Sequence, residues 1–284
     1  MLDMTALSGL IQVGMQNPRV KQYLSIKKNT RSNPENLVCL EGLWEITTAL
    51  DAGLELRAFF VCPDLLRGDA GRAMARRIVG SGVHSNAASP AVMQRLVDRE
   101  GTDGLAAMAQ LRRWNWGDIP LAEQNRIVVL DGLEITGNVG TIIRCADGTG
   151  ADAVVITNRR TRLAHPKVIH SSMGSVFTMP VIEVEVSEAV GWLRSHGFRV
   201  ITTDTDAFVS YREVDYRGRV ALVMGSEKYG IVRAWHDAQD VSVAIPMGGR
   251  MDSLNVGNAA VLMLYEAFYQ QEPSRFRGAR TTDG

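Results

Sequence analysis

From Ile127 onward, short β-branched-rich runs alternate with helical segments, which restricts this half of the chain to a parallel sheet with helices packed on its faces. The runs are Ile127–Leu130, Ala153–Ile156, Arg199–Thr203, Val220–Met224 and Val241–Ile245. Each is too short for a helix and continuous enough in apolar character to be buried on both sides. A final helix is expected from about Val256 to Tyr269. In an open α/β sheet, ligands bind beyond the carboxyl ends of the strands, so the segments that follow these runs are where chemistry is expected.

The preceding residues carry a smaller pattern of the same kind. Leu37–Leu40 and Arg57–Cys62 read as strands, and Glu41–Asp51 as a helix that Gly53 stops. Segments around Ala70–Val79 and Pro90–Asp98 read as amphipathic helices, and Gly104–Leu111 closes a small sheet. Residues 112–120, RRWNWGDIP, break the periodicity. With 284 residues, two domains are expected: 1–112, then a linker over 113–122, a second domain over 123–272 and a flexible tail over 273–284.

The 31 Lys and Arg residues balance 31 Asp and Glu, so the overall charge gives no encouragement to a nucleic-acid partner, which would need a local basic patch. One such patch is present. Residues 17–33 hold Arg19, Lys21, Lys27, Lys28 and Arg31 and no acid; this is either a phosphate-binding surface or a solvated loop. The three cysteines (Cys39, Cys62 and Cys145) are widely spaced and form no C-x-x-C pair, which suits a reducing compartment. No apolar run reaches the ~18 residues of a membrane span, and the first residues have no basic stretch leading into an apolar one, so a cytoplasmic protein is expected. The five histidines make no H-x-x-x-H pair, and neither a G-x-S-x-G elbow nor a phosphate loop occurs; no metal is expected.

Three segments at predicted strand ends carry glycines and small polar residues. Residues 131–144, DGLEITGNVGTIIR, leave a strand and enter a helix, so their backbone amides suit an anion. They lack the G-x-G-x-x-G pattern, and no acid ends the next strand, which disfavours a nicotinamide cofactor. Residues 224–230, MGSEKYG, frame an acid and a base between two glycines. Residues 245–260, IPMGGRMDSLNVGNAA, make a sharp loop before a small-residue helix that Ser253 or Asn255 caps. Arg144 alone reads equally well as a solvated helix arginine.

Taken in order, the segments resemble the three signature motifs of the SpoU (TrmH-like) family of RNA ribose methyltransferases, in the SPOUT superfamily. Asn138-x-Gly140-x-x-x-Arg144 is similar to the first motif and Met224-Gly225-x-Glu227-x-x-Gly230 to the second. Ile245-Pro246-Met247-x-Gly249-x-x-x-Ser253-Leu254-Asn255-Val256 is similar to the third. The likeness covers about residues 125–270. More faintly, Lys21, Lys27, Lys28 and Arg31 followed by Glu41-Gly42 resemble the small α/β RNA-binding domain of many relatives, including the antibiotic-resistance branch that acts on 23S ribosomal RNA. The resemblance implies a C-terminal parallel sheet with a deep trefoil knot and a homodimer whose first motif faces the partner's cofactor. It also implies a bent S-adenosyl-L-methionine held by Thr203, Met224, Gly225, Glu227, Gly230, Ile245, Met247, Ser253, Leu254 and Asn255. The expected reaction is 2′-O-ribose methylation of RNA, rRNA being favoured over tRNA. A non-catalytic ribosome-assembly factor of the same fold is the alternative.

The family assigns the arginine matching Arg144 as a base. A guanidinium is effectively always protonated, so the expectation here is a clamp on a phosphate that also steadies developing alkoxide charge. Asn138, Glu227, Ser253 and Asn255 would orient the arginine and the ribose.

Overall fold

A computed structural model describes Leu7 and residues 9–98 and 101–274. The chain divides into two compact units, one of residues 1–112 with 164–170 and the other of residues 113–163 with 171–284. The polar tail expected over 273–284 lies, from residue 275 on, outside the described residues.

The first unit contains β1 (Gln12–Val13), α1 (Pro18–Lys28), β2 (Leu37–Glu41), α2 (Gly42–Asp51), β3 (Leu56–Val61), α3 (Gly68–Gly80), β4 (Ser85–Ala88), α4 (Pro90–Leu96) and β5 (Leu105–Gln110). Its five-stranded sheet has the order β1-β4-β3-β5-β2, with β5 antiparallel to both neighbours. The basic stretch 17–33 is largely helical: Asn17 caps α1 by accepting from the Arg19 amide at 2.9 Å, Pro18 starts it, and Asn29 ends it in the left-handed region. The inward face of α1 sets Tyr23 edge-on against Phe60, ring centroids 5.8 Å apart, in the core of the unit.

The second unit contains β6 (Asn125–Asp131), α5 (Thr136–Gly148), β7 (Ala153–Thr157), β8 (Val181–Glu183), α7 (Val186–Ser195), β9 (Arg199–Thr203), β10 (Val209–Ser210), β11 (Arg219–Gly225), α8 (Arg233–Ala238), β12 (Val241–Ala244) and α9 (Val256–Gln271). Between β7 and β8 lies α6 (Pro166–Ser171), nearly all of it in the first unit. The seven-stranded sheet runs β10-β12-β9-β11-β6-β7-β8, and every pairing in it is parallel. The strands β6, β7 and β11 are buried almost throughout, which is why they read as unbroken apolar runs. Asp131 stands level with Gly225 on one side and Thr157 on the other, so the carboxyl ends of β11, β6 and β7 finish together.

Residues 113–122, expected as a linker, fall within the second unit. Trp114 and Trp116 pack on the core of the second unit, and Trp116 stacks on Trp192 at 4.3 Å between centroids. No helix among the described residues is long and apolar enough to cross a membrane.

Candidate active site

At the carboxyl edge of the seven-stranded sheet, the loops after β9, β11 and β12 line a cleft of about 460 Å³, within the ~300–1,000 Å³ of small-molecule sites. Thr203, Asp204 and Thr205 form one wall, residues 224–231 a second, and Ile245 with Asp252, Ser253 and Leu254 a third.

The second wall keeps its shape because of its glycines. The Ser226 amide donates to the Gly230 carbonyl at 3.0 Å and the Gly230 amide returns a bond to the Ser226 carbonyl at 2.9 Å, folding the loop onto itself. A Cβ on Gly225 would stand 2.6 Å from the Ile231 nitrogen, closer than real Cβ atoms come. Gly230 turns the chain at φ +65°, where other residues are strained. The tip, Glu227-Lys228-Tyr229, is left exposed.

Asp131, to which the sequence motifs assign no role, ties this edge together. Its buried carboxylate accepts from the Thr157 hydroxyl at 2.9 Å, the Asn158 amide group at 2.7 Å and the Val232 amide at 2.8 Å. The ends of β6 and β7 and the exit of the 225–230 loop are thus held by one side chain. An acid closing an otherwise apolar strand was the available signal.

A polar chain joins the three signature segments. Asn255 caps α9 by accepting from the Gly257 amide at 2.9 Å and donates from Nδ2 to Asn138 Oδ1 at 3.2 Å. Asn138 Nδ2 in turn donates to Glu227 Oε1. Gly257 permits this closeness, since a Cβ there would lie 3.0 Å from Asn255 Oδ1 and 3.7 Å from Asn138 Oδ1. Of the two expected caps, Asn255 is the one used; Ser253 instead faces the cleft.

The structure thus gathers Thr203, Met224, Gly225, Glu227, Gly230, Ile245, Ser253 and Leu254 around one cleft, with Asn138 and Asn255 linked to it through Glu227. Met247 is 37% exposed and is not among the residues that line the cleft. Arg144 is exposed on α5 and does not line this chain's cleft. In the first unit, Lys21, Lys28 and Arg31 are exposed, but Lys27 is only 8% exposed and does not serve the surface patch. Its ammonium pairs with Glu41 at 3.1 Å and Asp98 at 2.9 Å, and donates to the Leu96 carbonyl at 2.6 Å. Among the described residues, no three His, Cys, Asp or Glu side chains gather as a metal site would require.

Residues 125–265 match the model of the SpoU rRNA methylase family. A Staphylococcus epidermidis protein assigned to the TrmH family of tRNA/rRNA methyltransferases is 36% identical over 148 residues, which are 52% of this chain. The match spans 59% of that relative's length, so the chain covers little more than half of it. The crystal structure of an RNA 2′-O ribose methyltransferase is 32% identical, with a TM-score of 0.75 over 92% of this chain and 98% of the other. An AdoMet-bound rRNA methyltransferase from Sinorhizobium meliloti is 28% identical, with a TM-score of 0.80 over 90% and 96% of the two chains.

Proposed function

The chain belongs to the SpoU rRNA methylase family, and on that footing we propose that it transfers the methyl group of S-adenosyl-L-methionine to a ribose 2′-hydroxyl of large-subunit ribosomal RNA. The observation that carries this reading is the Glu227–Asn138–Asn255 chain of hydrogen bonds, which brings one residue from each signature segment to the rim of one cleft. The cleft suits the cofactor. Ile231, Ile245 and Leu254 offer apolar walls to an adenine, and the looped main chain at 225–230 lines the same cleft.

When bound, S-adenosyl-L-methionine supplies a methyl on a sulfonium, already a good leaving group. The residues have to align the 2′-oxygen with that methyl and accommodate the charge left as the hydroxyl proton departs to solvent. Asn138, held at both ends of its amide, and Glu227 fix the rim against which the ribose is positioned. Ser253 on the opposite wall offers a hydroxyl to the ribose or the cofactor.

We assign Arg144 to the cleft of a second copy. Placed outside its own cleft, it serves the reaction if a homodimer presents it to the partner's cleft. There its planar fork grips the phosphate beside the target ribose and stabilises the developing alkoxide; a permanently protonated group does this without acting as a base. The family's deep trefoil knot is assigned to residues 219–271. In support, β12 lies beyond β9 from β11, yet α9, which follows β12, packs back on β11 and α5.

Ribosomal RNA is favoured over tRNA by the two-unit layout and by the near-complete coverage of the S. meliloti rRNA enzyme. Mapping 2′-O-methyl groups in RNA from cells with and without the protein tests the assignment. A position in large-subunit rRNA that is methylated only with the protein is the expected result, and one at a drug-contacting nucleotide makes the chain a resistance determinant. A protein-dependent position in tRNA redirects the substrate, and identical maps from a chain that also binds no cofactor leave a non-catalytic assembly factor.

A further inference from the structure

Between Asp152 and Glu183 the chain has no acidic residue but carries Arg159, Arg160, Arg162 and Lys167, a local excess in a protein of zero net charge. The three arginines fall in the loop that leaves β7 at the same sheet edge as the cleft. The loop is built rather than slack. Asn158 adopts a left-handed φ of 47° while its side chain donates to Asp131 at 2.7 Å. The buried Thr161 hydroxyl bonds the carbonyls of Leu133 and Glu134 at 3.3 and 3.1 Å. The first tether reaches the end of β6 and the second the connection that launches α5 and Asn138, so the loop is anchored to the segment that carries the reaction rim.

Arg159 is set by Glu183, 3.1 Å away; burial pushes the Glu183 carboxyl up, and the charges of Arg159 and Arg113 oppose that rise. Arg160 is exposed. The strand β7 is two places from β11 in the sheet. At ~4.8 Å per strand the loop starts about 10 Å from Gly225, within reach of a phosphate close along the strand to a ribose held in the cleft.

We propose that the loop 158–163 is a phosphate-binding element of the catalytic unit, which grips the substrate strand a few nucleotides from the one entering the cleft, with Arg160 as the principal phosphate ligand. This rests on the RNA-methyltransfer reading and adds to it a second grip, separate from the basic surface of α1.

The test is a titration of fluorescein-labelled oligo(U) RNA with the full chain at several salt concentrations, using Arg160→Ala, Arg160→Lys and the double Arg160→Ala, Arg162→Ala variant. The expected result is a salt slope shallower by about 0.7 for each phosphate no longer gripped, retained slope in the lysine variant, and an affinity for S-adenosyl-L-methionine equal to wild type throughout. In turnover, KM for RNA rises and kcat holds. Unchanged RNA affinity and slope in both alanine variants overturns the proposal, and capture of an acidic protein by this loop would then be its alternative use. A wild-type chain that binds oligo(U) but methylates no RNA sinks the catalytic reading, while the same titration still decides the loop.

Discussion

Asn138 is where a single atom exchange has the clearest consequence. Its amide faces a carboxylate acceptor with its nitrogen and the Asn255 amide donor with its oxygen, so neither end tolerates a reversal of role. Asn138→Asp would set a second carboxylate against Glu227 and remove a charge-assisted bond worth about 1.5–3 kcal/mol. The expected effect is a fall of roughly ten- to a hundredfold in kcat/KM, read in a methyl-transfer assay, with the unfolding midpoint little changed because the rim is exposed. Lys27 likewise turns on its individual partners. A lysine in a basic stretch reads as surface, and only the fold brings Glu41 and Asp98 to it. A buried ammonium is stable there because both carboxylates and the Leu96 carbonyl surround it.

At the scale of elements, α9 is fixed at both ends: at its start by the Asn255 cap, and near its end by Arg126. The guanidinium of this buried arginine donates to the Thr149 carbonyl at 2.8 Å, to Gln271 at 2.7 Å and to Glu272 at 2.9 Å, and lies over the Phe268 ring at 5.1 Å. Arg126→Met keeps the volume but leaves the Thr149 carbonyl and Glu272 without that partner. A stability loss of about 3 kcal/mol is expected, seen as an earlier midpoint in urea, whereas an unchanged midpoint would deny the tether. The long buried strands β6, β7, β9 and β11 and the helix α9 were legible because their apolar runs state their burial directly. β1 and β10, two residues each, and β8, three, were not, since so short a run has no period. The helix α1 was hidden by its charge, although Asn17 and Pro18 spell a helix start. The cleft residues were legible through motif order. That Asp131 holds the edge depends on packing between segments far apart in the chain, which no local pattern encodes.

For the whole molecule, catalysis by this scheme requires two copies for one working site. Arg144→Ala and Gly225→Val should each be inactive, the first lacking the clamp and the second unable to close the 225–230 loop. Mixing them, with exchange of subunits, should restore activity that neither has alone, because the glycine variant lends its Arg144 to the intact cleft of its partner. Persistent inactivity in a verified mixed dimer would return Arg144 to its own chain. In the first unit, replacing Lys21, Lys28 and Arg31 together should weaken RNA binding and flatten its salt slope by about 2, at ~0.7 per phosphate, with cofactor affinity unaffected. Equal RNA affinity at every salt concentration would make that surface a solvated helix face.

The central claim is that a ribose oxygen receives the methyl group. Ribosomal RNA incubated with the protein and methyl-labelled S-adenosyl-L-methionine, then digested with alkali, tests it most directly, because a 2′-O-methyl group blocks cleavage of the adjoining phosphodiester. Ribose methylation predicts the label in an alkali-resistant dinucleotide; label in a mononucleotide, carried on a base, would contradict it.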